Sequence, residues 1–317
     1  MSKLRQLIVI TLCLVLFSST SQAWFGFGHM AVAYVAYQKL TPAKKTRVIA
    51  LLKKNPYYKN KKWQKLIPPG TPANQQNLML FMIAATWPDA IKGDTTYIND
   101  GLDNGDQPPS GPVASQNKGY SDHNRHKYWH FVDTPFTQDG TAPLPAVPAP
   151  NAETEITILR KALASTKSDT LKSYDLVWLL HLVGDVHQPL HSSTRVGAAD
   201  LNGDIGGNSV TLNDPSKELH AFWDGLPGDS SNPADVIPYG SGLAPADSTL
   251  ASIDTVSTWT SESLDLAKTM VYIDPIGLGD GPFTPTPEYK TQAQKIADQR
   301  VALAGERLAN LINNELK

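Results

Sequence analysis

Two pairs of residues set the chemistry that this chain can do. His181 and Asp185 stand at i and i+4, as do His220 and Asp224, and His191 lies between the pairs. On a helix such positions project from one face. The first pair is embedded in Leu176, Val177, Trp178, Leu179, Leu180, Leu182 and Val183. Its imidazole and carboxylate therefore enter a buried setting, where they need partners or a metal. Imidazole and carboxylate without thiolate suit zinc, with manganese and iron left open by ligand type alone. The histidines stand at 29, 123, 126, 130, 181, 187, 191 and 220, and the one cysteine is Cys13. That excludes an internal disulfide framework and cysteine-based zinc or iron–sulfur sites.

The elements that must carry these residues read mainly as helix. Apolar periodicity predicts helices over 29–40, 77–86, 153–165, 174–186, 250–270 and 290–315. Thr41-Pro42 looks like an N-cap followed by proline in the first turn of another, with Val48, Ile49, Leu51 and Leu52 on its inner face. Pro88 is expected to end the helix before it. Loops rich in Gly, Pro, Asp and Asn fill 93–125, 134–151, 198–213 and 225–246, lengths that in a compact domain are usually functional. There is no internal repeat and no run of alternating strands. The expected fold is mainly α, a single compact helical domain over 24–317, with a small β-hairpin near 206–212.

With 317 residues, 41% hydrophobic content and 28 basic against 30 acidic residues, the chain is not disordered, fibrous or a multi-span membrane protein. Lys3 and Arg5, an apolar run over 7–17 and the small-residue exit to Ala23 describe a secretory signal peptide over 1–23. The run is too short to span a bilayer, which takes about 20 residues. Cleavage at Ala23/Trp24 would leave a cysteine-free protein, periplasmic or secreted, with no transmembrane segment. Charge is split along the chain. Ten Lys/Arg lie between Lys39 and Lys65, whereas 24–88 holds no Asp or Glu. With Tyr57, Tyr58 and Trp63 among them, these lysines suit phosphate contact and base stacking, an anionic membrane surface, or a plain solvated helix face.

An ordered set of motifs then gives a resemblance. Trp24, Gly28-His29, Trp87-Pro88-Asp89, Trp129-His130-Phe131-Val132-Asp133, the segment His181-Leu182-Val183-Gly184-Asp185-Val186-His187-Gln188-Pro189-Leu190-His191, Gly206-Gly207-Asn208 and His220-Ala221-Phe222-Trp223-Asp224 follow one another. Trp259 and Glu262-Ser263 fit as well. The chain resembles the S1/P1 nuclease family, zinc-dependent nucleases related to bacterial phospholipase C, and the lack of cysteine points to a bacterial branch.

The resemblance implies three zinc ions at the bottom of a cleft. Asp89, His130, His181 and Asp185 would hold the first, and His191, His220 and Asp224 the second. The third would be held by the α-amino nitrogen and carbonyl oxygen of Trp24, by His29, and by Asp185 as a bridge. It implies hydrolysis of single-stranded DNA and RNA to 5′-nucleotides by a zinc-activated hydroxide and 3′-nucleotidase activity on 3′-nucleotides; the chain itself is expected to be a monomer. Asp89, Asp185 and Lys92 would serve catalysis. Lys92 stands where the family's nucleases carry an arginine, keeping the charge but losing the bidentate fork. Phe131 and Asp133 match positions that stack on and hydrogen-bond a base, and Asn208 falls in the substrate-binding set. His187 reads as a support for ligands, and His123 and His126 as structural or substrate-facing. Two alternatives remain: a zinc-dependent phospholipase C acting on phosphatidylcholine or related lipids, and a non-catalytic zinc-sequestering or nucleic-acid-binding factor.

Overall fold

The computed structural model describes residues 24–144 and 149–317, so the expected signal peptide lies outside the described residues. Helices α1 (Gly26–Lys39), α2 (Pro42–Leu52), α3 (Pro56–Lys59), α4 (Ala73–Ala84) and α5 (Trp87–Lys92) form the first half. A long irregular stretch leads to strand β1 (Thr134–Thr137), then α6 (Ala152–Leu163), α7 (Asp169–Asp185) and β2 (Ser193–Val196). Helices α8 (Leu219–Gly225), α9 (Pro233–Gly242), α10 (Ser248–Ala251), α11 (Val256–Leu266) and α12 (Pro287–Glu315) complete the chain.

Local chemistry starts these helices. Thr41 Oγ1 accepts from Lys44 N at 3.3 Å with Pro42 in the first turn of α2. Asn151 and Thr154 form a reciprocal capping box on α6. Ser168 caps α7 and Thr286 caps α12. Helix α7 is buried on every side from Lys172 to Asp185, the pattern of a central helix, and it packs against α1, α2, α5, α6 and α12.

Two motif tryptophans meet a third, Trp178, on α7. Trp87 and Trp129 each set an edge against Trp178, with centroids 6.0 Å and 4.9 Å apart. All three are fully buried. Each indole removes roughly 150–250 Å² from water, about 4–6 kcal/mol of transfer free energy before entropy is counted. Their positions in sequence anchor Asp89 on α5 and His130, four residues before β1, to the helix that carries His181 and Asp185.

Several expectations are corrected. No hairpin forms near 206–212. Gly206 and Gly207 instead take φ +59° and +82° in a turn, and Leu212 bridges Phe283 while Thr211 bridges Glu218. The strand pair is parallel, with Thr134 opposite Ser193, and it joins the segment after His130 to the segment after His191. Pro88 does not stop a helix: it occupies the first turn of α5, where its missing N–H costs nothing. The helix expected over 250–270 is broken between α10 and α11 and ends in a π-helical turn at Ala267–Val271. Helix α9 falls inside an expected loop. Among the described residues no helix is long and apolar enough to cross a membrane.

Candidate metal centre

The C-terminal turn of α7 supplies the middle of the site. Gly184 leaves room there for the imidazole, since a Cβ would lie 3.0 Å from His29 Nδ1 and press on it. The His29 ring stacks on His181, centroid to centroid 3.7 Å. Asp185 divides its carboxylate between two groups: Oδ1 is 3.3 Å from His29 Nε2, and Oδ2 is 3.2 Å from His130 Nδ1 and 3.4 Å from His181 Nε2. Asp89 Oδ1 closes one side, 3.8 Å from His130 Nδ1 and 3.6 Å from His181 Nε2. Helix α8 and the turn after α7 supply a second group. His220 Nε2 is 3.0 Å from His191 Nε2 and 3.3 Å from Asp224 Oδ2.

Backbone carbonyls set the imidazole tautomers. The Nδ1–H groups of His181, His191 and His220 donate to Ala85 O, His130 O and Gly206 O at 2.8, 2.8 and 2.7 Å. Each Nε2 is left as a lone pair turned inward. Gly206 must be glycine for this, since a Cβ there would stand 2.5 Å from Leu190 O. Gln188 Nε2 donates to Asp224 Oδ1 at 2.7 Å.

The residues fit cations. His29, His181 and Asp185, then Asp89, His130 and His181, then His191, His220 and Asp224 form three groups whose ligand atoms converge. Both oxygens of Asp185 and Oδ2 of Asp224 are buried without a hydrogen-bond partner, which is costly unless positive charge meets them. Burial holds His130, His181 and His191 well below the ordinary imidazole range and pushes His220 down to about 4. Burial, with the charges of Asp89 and Asp224, pushes the Asp185 carboxyl well up. Neutral imidazoles beside anionic-competent carboxylates make a donor set for zinc-type ions.

Trp24 is fully buried at the same place. Its indole N–H donates to Gly184 O at 3.0 Å. Its backbone N–H donates to the Asp224 carboxylate of the second group.

A cleft of about 610 Å³ opens over the site, and Lys92, His130, Phe131, Asp133, Asn208 and His220 line it. Lys92 Nζ is 2.7 Å from Asp89 Oδ1. Phe131 is half-buried against the core edge. Asp133 sits at φ +48° with its carboxyl pushed well up by burial and by Asp204 and Asp106. Asn208 Nδ2 donates to Ile205 O at 2.6 Å.

The remaining histidines lie elsewhere. His187 donates from Nδ1 to Val183 O and receives Arg307 at Nε2. His126 is buried between Asp100 and Asp122, and His123 is exposed. Spacing did not single out Gln188 as the holder of Asp224, although it stands inside the quoted 181–191 segment. Arg125 and Lys127, which also line the cleft, carry no local signal beyond their charge.

The family model described as S1/P1 Nuclease matches residues 24–317. Shorter stretches resemble two Arabidopsis thaliana proteins. One is "Endonuclease 4", 41% identical over 69 residues, 20% of this chain and 21% of that protein. The other is "Endonuclease 5", 36% identical over 74 residues, 22% of this chain and 23% of that protein. The matched stretches thus span under a quarter of either relative.

Proposed function

Because this chain belongs to the S1/P1 nuclease family, we propose that it hydrolyses phosphodiester bonds of single-stranded DNA and RNA to 5′-nucleotides, with 3′-nucleotidase activity, using three zinc ions. The observation that carries the reading is the Asp185 carboxylate shared between His29 on one side and His130 and His181 on the other. A divided carboxylate of that kind suits a bridge between two ions. Asp89, His130, His181 and Asp185 would hold one ion, and His191, His220 and Asp224 another. His29, Asp185 and the freed amino end of Trp24 would hold the third. When bound, zinc supplies Lewis-acid charge for a phosphate oxygen and lowers the pKa of water toward neutrality.

The chain's own groups do the rest. The carbonyls of Ala85, His130 and Gly206 keep three imidazoles as inward lone-pair donors. Gln188 orients Asp224. Lys92 places a cation at the cleft wall beside Asp89. Phe131 offers a face for a base, while Asp133 and Asn208 offer polar groups for its edge or sugar. Stacking on one aromatic needs an unpaired base, so single strands fit this cleft better than duplex.

We further read 24–317 as one catalytic domain acting as a monomer outside the cytoplasm after removal of 1–23. The decisive assay is release of acid-soluble nucleotide from single-stranded DNA by protein beginning at Trp24, with chelator and with zinc restored. Release that the chelator stops and zinc rescues supports the reading. A zinc-loaded protein that leaves DNA and RNA intact but cleaves phosphatidylcholine overturns it.

A further inference from the structure

Three cations line the cleft, Lys92, Arg125 and Lys127, and two of them are committed. Lys92 Nζ lies 2.7 Å from Asp89 Oδ1, and Lys127 Nζ donates to Asn104 O at 2.7 Å. Arg125 differs. Its guanidinium makes one hydrogen bond, from Nη2 to Asp94 O at 3.3 Å, and its buried Nε has no hydrogen-bond partner among the described residues. A guanidinium offers five donors in a planar fork, so most of this one's capacity is unspent, and it faces a cleft that ends on a cation-binding floor.

The backbone that presents Arg125 is fixed on both sides. Arg125 N donates to Ile98 O at 3.0 Å, and Ile98 N donates to His123 O at 2.9 Å. The next residue, His126, takes φ +45°, a left-handed conformation uncommon outside glycine. Its N–H donates to Asp100 Oδ1 at 2.9 Å. Its ring lies flat on Trp129, centroids 3.8 Å and planes 6° apart. Nδ1 lies 2.7 Å from Asp100 Oδ2 and Nε2 lies 3.1 Å from Asp122 Oδ2. An imidazole with a carboxylate on each nitrogen cannot rotate or shift without breaking an ion pair. Held by two carboxylates and a stacked indole, the residue is a fixed post beside Arg125.

We propose that Arg125 is a phosphate-binding residue of the cleft, gripping a phosphate of the bound strand through its two-pronged fork, and that His126 is the positioning residue that aims it. Nucleic acid as the source of that phosphate rests on the nuclease reading; the anion site itself does not. Arginine suits this task where lysine does not, since two parallel N–H groups match two phosphate oxygens.

The test uses zinc-loaded protein, steady-state cleavage of a single-stranded DNA oligonucleotide, and inorganic phosphate as inhibitor and as calorimetric probe. Arg125→Ala should raise KM and weaken phosphate binding at least 10-fold, with kcat changed less. Arg125→Lys should recover only part of both. His126→Gln should raise KM with kcat largely kept, and should add little when combined with Arg125→Ala, because both changes remove one interaction. Should His126→Gln fail to fold, the Arg125→Lys comparison decides. Wild-type KM and phosphate affinity in Arg125→Ala or Arg125→Lys overturn the proposal while leaving the nuclease reading intact. A wild type that cleaves no nucleic acid, yet binds phosphate through Arg125, overturns the nuclease reading alone.

Discussion

His191 and His220 bring their Nε2 atoms to 3.0 Å while each spends its Nδ1–H on a backbone carbonyl. Two lone pairs at that distance repel unless a cation stands between them, and Asp224 Oδ2 is 3.3 Å from His220 Nε2 to complete the site. The fold has therefore placed its imidazoles for an ion. Chelation should lower the melting temperature, and zinc should restore it, since an ion at 100 times its Kd stabilises by about 2.7 kcal/mol per site. His220→Ala should abolish one increment of that rescue. Equal melting curves with chelator and with zinc would refute the assignment.

Asp185 and Asp224 differ in a way that metal counting can read. Asp185 faces His29 through one oxygen and His130 and His181 through the other, whereas Asp224 has one oxygen on His220 and the other on Gln188. Asp185→Asn should cost more than one zinc per chain, and Asp224→Asn about one. Turnover should fall at least ~10–100-fold in both, the scale of loss when groups that support a metal are removed. Elemental analysis of the dialysed variants is the measurement, and equal losses would deny the bridge.

Much of the site was legible because helical spacing and motif order are local facts: His181 with Asp185, and His220 with Asp224, needed only the i, i+4 rule. The supports were not, since Gln188 and the Gly206 carbonyl act on Asp224 and His220, which only tertiary packing brings near. The fold shows the same division. Apolar helices were recognisable, with starts displaced by a few residues, as in α7, which begins at Asp169 under a Ser168 cap. Pro88 was misleading because proline stops a helix from its interior but starts one from its first turn. Helix α9 was hidden by Pro233, Pro238, Gly240 and Gly242, yet Asn232 caps it and Val236 and Gly240 are buried.

Trp24 carries a prediction about the chain's beginning. As an amide, its N–H donates to the Asp224 carboxylate, and an amide nitrogen has no lone pair to offer a metal. An amine there, with a pKa of about 7.7–8.0, does have one once deprotonated. Protein beginning at Trp24 should hold one more zinc than protein carrying one extra residue before it, and should turn over faster. Equal zinc content and equal rates would remove Trp24 from the ligand set.

Glu155 predicts how stability depends on pH. It lies fully buried on α6 with neither carboxyl oxygen hydrogen-bonded. Burial pushes its pKa up to about 8, against a smaller opposing pull from the His126 charge. An unfolded glutamate ionises near 4.3. The folded state therefore favours the proton, and stability declines as pH rises from about 4.3 toward 8. At pH 7 the cost is on the order of 3 kcal/mol. Glu155→Gln keeps the shape and removes the titration, so it should raise the melting temperature by several degrees at pH 7. The gain should shrink toward nothing as pH falls below about 3.5, where wild type is protonated in both states. Melting curves of the two proteins between pH 3.5 and 8 provide the check, and a pH-independent difference would mean that Glu155 is ionised in the fold.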